Sequence, residues 1–209
     1  METKADNPIT LLDGTQMPGI VQAYFEFNQL KQLYRQGWLR RGLERERCES
    51  VAEHSLGVAI LALWLVEAYR PGLDAGKVLR MALLHDFGEI YAGDIIPDDD
   101  DSIPDDDDSI PDEGSTSNKS ALERDSVLKV FGRLPDGQDY IHLWEEFEAG
   151  ETAEARFVHQ IDRLEMGFQA SVYQAQGLGR MDEFLESARL ALTDPELIAI
   201  LDELAELSH

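Results

Sequence analysis

The sequence predicts an all-α chain, and three observations carry that expectation. Apolar residues recur at intervals of three and four along most of the 209 residues. Glycine and proline fall between these runs as stop signals. No stretch alternates apolar and polar residues well enough to read as a strand. An apolar content of 43% suits one globular core. We read residues 1–18 as an N-terminal extension. Residues 19–209 read as one helical-bundle domain carrying a flexible acidic insert at 97–117.

The first helix is expected from Gly19, with Ile20, Tyr24, Phe27, Leu30 and Tyr34 on one face and Gly37 as its stop. An Arg-rich loop continues through Glu49. A second helix starts near Ser50, a plausible N-cap with Glu53 three positions on. Val51, His54, Val58, Leu61 and Leu65 share its inner face, and Arg70-Pro71-Gly72 ends it. A third begins at Asp74 and carries Val78, Met81, Ala82 and His85, with Gly88 and Gly93 interrupting the chain beyond it. Helix resumes near Asn118 and runs to Phe131. Tyr140 to Glu148 is short, and Thr152 to Tyr173 is the longest. Gly177 and Gly179 separate it from Met181 to Ala191. Asp194-Pro195 starts the last helix, with proline at a position where its missing N–H costs nothing.

Between these helices lies a tandem repeat, Ile96-Pro-Asp-Asp-Asp-Asp-Ser102, taken up again from Ile103 and from Ile110. Prolines block regular structure there and the aspartates repel one another, so it reads as an expanded, solvated loop. It holds much of the charge, since ten of the 42 acidic residues lie between Asp98 and Glu113. The net charge of -24 disfavours a nucleic-acid partner. No apolar run is expected to span a bilayer, and the N-terminus shows no signal-peptide pattern. The lone Cys48 fits a reducing, cytoplasmic setting.

Three polar positions interrupt otherwise apolar helix faces. His54 lies between Val51 and Val58. His85-Asp86 ends the third helix. Asp162 lies four residues after Val158 and three before Glu165. A buried carboxylate is costly unless it is paired or binds a metal. Singly, each has an ordinary explanation: a hydrogen-bonded core histidine, or an Asp162 paired with Arg163 or Arg156. Together, two imidazoles and two carboxylates offset that cost by closing around a cation. Nitrogen and oxygen donors suit Mn, Co, Fe or Ni, with Mg also possible, better than a thiolate-seeking ion.

With those residues in view, the chain resembles the HD-domain metal phosphohydrolases. The resemblance rests on Ser50-Val-Ala-Glu-His-Ser55, Met81-Ala-Leu-Leu-His-Asp-Phe-Gly-Glu89, Gly93-Asp94 and Phe157-Val-His-Gln-Ile-Asp-Arg-Leu-Glu-Met166. Gly37-Trp38, Leu143-Trp-Glu-Glu-Phe-Glu148 and Thr152-Ala-Glu-Ala155 make it most similar to the 5'-deoxynucleotidase branch. The likeness spans roughly residues 20 to 175.

The branch implies hydrolysis of deoxyribonucleoside 5'-monophosphates to nucleoside and phosphate. It implies one divalent ion on His54, His85, Asp86 and Asp162, with Glu89 and Asp94 as the acid–base pair, and a homodimer. The chain departs from the branch in its Asp-rich repeat after Asp94 and in Gly37, where some members carry a basic residue. Other HD reactions on nucleotide diesters, pyrophosphates or triphosphates remain as alternatives, as does a non-catalytic nucleotide-binding module.

Other residues keep two readings each. Glu89 is either a helper of the attacking water or a surface acid near Gly88. Asp94 is either catalytic or the cap of a turn after Gly93. Lys31, Arg35, Arg40, Arg41, Arg45 and Arg47 are six of only 18 basic residues. Arg40 and Arg41 are the candidate phosphate contacts, against a solvated loop. Trp38 either stacks on the nucleotide or fills the core. His142 and His159 are read as surface or supporting residues, and Glu165 as support for the Asp162 helix or as packing.

Overall fold

A computed structural model describes residues 2–12, 15–94 and 113–207. Helices dominate it, and among the described residues the only β pairings are isolated bridges, Thr3 with Leu33 and Tyr34 with Ser50. The Asp-rich repeat, read as an expanded loop, lies outside the described residues. The chain forms two compact units. One is Met1–Ala52 with Asp86–Ile141, the other Glu53–His85 with His142–His209.

The first unit contains α1 (Gly19–Phe27), α2 (Gln36–Arg40) and, after an excursion of the chain into the second unit, α5 (Glu89–Ala92) and α6 (Glu113–Phe131). Its interior includes a run of rings. Phe27 stacks on Phe87 at 5.8 Å, Phe87 on Phe131 at 5.0 Å, and Phe131 tilts against Tyr140 at 5.4 Å. The backbone N–H of Arg35 donates to Glu49 and that of Val51 to Leu33. These bonds set the entry of α3 (Val51–Tyr69).

The single helix expected from Gly19 to Gly37 is corrected here. The α-helical run stops at Phe27 and continues as a 3-10 turn over Asn28–Lys31. The tighter turn breaks the 3.6-residue register. Leu30 and Tyr34 are therefore buried while Ile20 and Tyr24 are exposed. The buried face of α1 holds Ala23 and Glu26 instead. Glu26 is 1% exposed because it is fully served, accepting from Arg133 at 2.8 Å and from the Tyr91 hydroxyl.

The second unit is built around α8 (Ala153–Ala175). Against it pack α4 (Ala75–Leu84), α9 (Asp182–Ala191) and α10 (Pro195–Leu207). The α7 helix (Gly137–Ala149) supplies Leu143 and Phe147 to the same core. Thr152 caps α8 by accepting from the Ala155 N–H, and Asp74 caps α4 by accepting from the Lys77 N–H. Ala155, Val158, Ile161 and Leu164 are fully buried one turn apart, which is the periodicity that identifies this helix in the sequence. Leu164→Ala is expected to cost about 2–5 kcal/mol of unfolding free energy in a urea titration. A cost under about 1 kcal/mol would mean that this core is not closely packed.

The α3 helix buries Val58, Ala59, Ala62 and Val66 in the same core. Leu61 and Leu65, assigned to the inner face, are only partly buried at its edge. The expectation that no segment is long and apolar enough to span a bilayer is corrected for this helix. An 18-residue stretch of it reaches a mean hydropathy of 1.5 and satisfies that test on length and composition alone. The third predicted helix is also shorter than expected. It ends at Leu84, and His85–Gly88 forms a 3-10 turn before α5. His85 and Glu89 are thus not separated by one α-helical turn.

Candidate metal centre

Three of the four proposed ligands belong to the second unit, and the fold brings them together. His54 comes from the first turn of α3, His85 from the 3-10 turn directly after α4, and Asp162 from the middle of α8. One ligand atom from each lies within 4.8 Å of the others. His54 is 1% exposed and His85 5%, with their rings edge to face at 5.5 Å. The Asp162 side chain keeps 18% of its surface, so the cluster opens on the aspartate side.

Each imidazole is oriented through its Nδ1. His85 Nδ1 lies 2.8 Å from the carbonyl oxygen of Ala82. A carbonyl only accepts, so Nδ1 carries a proton, and Nε2 is the nitrogen that a metal would take. The backbone carbonyl of His85 itself accepts from the Trp144 indole N–H at 3.0 Å, and Phe147 packs edge to face on the ring. His54 Nδ1 lies 2.6 Å from Glu165 Oε2, and its Nε2 lies 3.0 Å from Asp162 Oδ1.

Two carboxylates facing one imidazole is the observation that tests for a metal. A neutral imidazole has one N–H and cannot donate to both. The arrangement needs either an imidazolium or a cation next to Nε2. Burial pushes the Asp162 carboxyl up. The hydrogen bond from His54, with the charges of His54, His85 and Arg163, outweighs that and holds it well below the usual range. Two nitrogens and a carboxylate oxygen, converging and already oriented by hydrogen bonds, fit a divalent ion.

Asp86, the fourth proposed ligand, is joined to His85 by one peptide bond and belongs to the first unit, with Glu89 and Asp94. Glu89 is buried, at 4% exposure, not a surface acid. Its Oε2 has no hydrogen-bond partner among the described residues. Burial, and after it the charges of Asp86 and Asp94, pushes its carboxyl well up, with Arg35 and Lys119 opposing. Gly93 turns the chain at φ +85° after α5, and Asp94 comes next. The Asp94 carboxylate reaches back to the start of α2. It accepts from the Gln36 backbone N–H at 2.6 Å and lies 3.6 Å from the Arg35 guanidinium.

The residues proposed to contact substrate divide. Arg40 ends α2 and Arg41 follows it, and both are exposed. Trp38 is 3% exposed and donates its indole N–H to Glu49 at 2.8 Å, so of its two readings it takes the core position. His142 is exposed. His159 stacks on Phe147 at 4.0 Å and contacts that residue's carbonyl oxygen through Nε2, a supporting place. Sequence reasoning gave Arg35 no role beyond the basic patch and Trp144 none beyond its motif, and it left Glu165 between support and packing. The i, i+3 spacing of Asp162 and Glu165 was the available signal for Glu165.

The HD domain family model matches residues 27–197 of this chain. The 5'-deoxynucleotidase HDDC2 of Homo sapiens is 33% identical over 180 residues, covering 84% of this chain and 79% of that protein. The Bos taurus protein of the same name is 30% identical over 202 residues, covering 95% and 90%. Among solved structures, a predicted metal-dependent phosphohydrolase from Magnetospirillum magnetotacticum is similar with a TM-score of 0.63 and 29% identity. That match covers 91% of this chain and 93% of that one. The PH0347 protein of Pyrococcus horikoshii is similar with a TM-score of 0.66 and 28% identity, covering 90% and 99%.

Proposed function

The chain belongs to the HD-domain family, and from that premise we propose that it is a metal-dependent hydrolase of deoxyribonucleoside 5'-monophosphates. The observation that carries the reading is the buried convergence of His54, His85 and Asp162 within 4.8 Å. The relatives named 5'-deoxynucleotidase, matched over most of their length, support the substrate class. Asp86 is proposed as the fourth ligand because the His-Asp pair of the motif stands intact at 85 and 86. When bound, a divalent ion lowers the pKa of water and neutralises phosphoryl oxygens; Mn, Co, Fe, Ni and Mg are the proposed identities.

The chain's own groups supply the rest. Water attacks phosphorus, the bond from phosphorus to the 5'-oxygen breaks, and one proton must pass from the water to the departing oxygen. Glu89 is proposed to accept and return that proton, because a carboxyl raised by burial sits nearer neutrality than a surface acid. Asp94 holds the start of α2 through Gln36 and pairs with Arg35, and is proposed to assist Glu89. Arg40 and Arg41 are proposed to meet the anionic substrate, since a guanidinium binds two phosphate oxygens at once. Trp38, in its core position, supports the helix that carries them.

The reading extends to a cytoplasmic homodimer with neither nucleic acid nor membrane as partner. Leu56, Ile60 and Trp64 form an exposed apolar stripe along α3 that a second copy would cover. Light scattering at micromolar concentration tests that; a monomer would remove the dimer from the reading.

The deciding experiment is phosphate release from matched deoxy- and ribonucleoside 5'-monophosphates, on chelator-treated protein, with and without Mn, Co or Mg. Metal-dependent release favouring the deoxy series is expected. Turnover confined to diesters or polyphosphates would move the substrate to another HD reaction. Nucleotide binding without turnover would leave a binding module.

A further inference from the structure

We propose that Glu165 and Gly57 form a positioning pair for the metal ligand His54. Glu165 holds the ring proton on Nδ1, and Gly57 clears the space its carboxylate needs. The inference rests on the metal reading above and adds two residues to it. Glu165 lies on α8 one turn after Asp162, so the two carboxylates reach opposite nitrogens of the same ring. Glu165 Oε2 is 2.6 Å from His54 Nδ1, and Asp162 Oδ1 is 3.0 Å from Nε2. With the proton drawn to Nδ1, the Nε2 lone pair points at the position shared with Asp162 and His85.

Gly57 is three residues after His54 on α3, on the side facing the Glu165 carboxylate. A Cβ there would stand 3.0 Å from Glu165 Cδ and 3.1 Å from Cγ, with Oε1 closer still. No side chain tolerates that contact. What yields is the end of the glutamate side chain, because its carboxylate is more easily moved than either helix backbone. An alanine at 57 therefore acts on His54 only by displacing Glu165. Glu165 itself is 6% exposed, and this ring contact is what makes its burial among the apolar residues of α8 tolerable.

The test is a Mn(II) titration of the chelator-treated full chain, read by the loss of free-ion EPR signal. Four proteins are compared with wild type: Glu165→Ala, Glu165→Gln, Gly57→Ala and the Gly57→Ala/Glu165→Ala double variant. Circular dichroism confirms that each is folded. Glu165→Ala is expected to weaken Mn(II) binding by about 10–100-fold, the usual loss when a ligand's hydrogen-bond partner is removed. Glu165→Gln keeps an acceptor oxygen in place and should recover most of that loss. A residue that merely packed would not show this rescue. Gly57→Ala is expected to weaken binding in the same direction, and to add nothing in the double variant, because both changes break one bond.

Glu165→Ala that binds Mn(II) like wild type would overturn the role of Glu165. Losses that multiply in the double variant would overturn the route assigned to Gly57. A wild-type protein that binds no Mn(II) would instead fail the metal reading itself, so the two failures are separately visible.

Discussion

Replacing His85 by alanine should remove bound metal and phosphate release together. The side chain supplies one of three ligand atoms that meet within 4.8 Å, and its Nδ1 is already engaged by the Ala82 carbonyl. No neighbour can stand in, since His54 is held between Glu165 and Asp162. The expected losses are at least about 100-fold in metal affinity and about 1000-fold in turnover, because activation of the attacking water depends on the ion. The alanine also leaves a space beside Phe147, so Asp162→Asn serves as a companion that keeps volume and removes charge. Metal content after dialysis and phosphate release under saturating Mn are measured on both. An active His85→Ala protein free of metal would refute the site.

Glu89→Gln should separate chemistry from metal binding and, unusually for an active-site change, stabilise the metal-free fold. The Glu89 carboxyl is raised well above its ordinary value of 4.5, by burial first and then by Asp86 and Asp94. A raised carboxyl means the folded state binds more protons than the unfolded one at pH above that ordinary value. Folding free energy is therefore full in acid and falls as pH rises through the folded pKa. Glutamine carries no such proton and removes that fall. At neutral pH and above, chelator-treated Glu89→Gln is expected to be more stable than wild type, by about 1–3 kcal/mol, with the difference vanishing below pH 4.5. Turnover should drop by about 100- to 10000-fold, the usual worth of a positioned acid–base group. Urea unfolding at three pH values and phosphate release at one decide it. A variant of unchanged turnover would strip Glu89 of its proposed part in the reaction.

The candidate site was legible where chemistry conflicts with periodicity. His54, His85 and Asp162 announce themselves because each places a polar group on a helix face that otherwise requires apolar residues. Their partners were less visible for a physical reason. Glu165 keeps the same helical spacing as a packing position, and only the 2.6 Å approach to His54 gives it a task. Trp144 reads only as part of its motif, yet its N–H holds the His85 carbonyl. Gly57 resembles a mere weak point in a helix until the Glu165 carboxylate is seen beside it.

The sequence by itself determined the helical class, most helix boundaries set by proline and glycine, and the order of ligand-bearing residues. These arise from local rules: backbone freedom, the 3.6-residue period and the cost of an isolated charge on an apolar face. Tertiary structure alone decided where the period breaks, at Asn28–Lys31 and at His85–Gly88, where α-helical turns tighten to 3-10. It decided that Glu26 is buried because Arg133 and Tyr91, more than 60 residues away, satisfy it. It placed Trp38 in the core and joined Asp94 to Gln36. Such outcomes depend on which side chains meet across long stretches of chain, and hydrogen-bond partners at that separation leave no periodic trace in a single sequence.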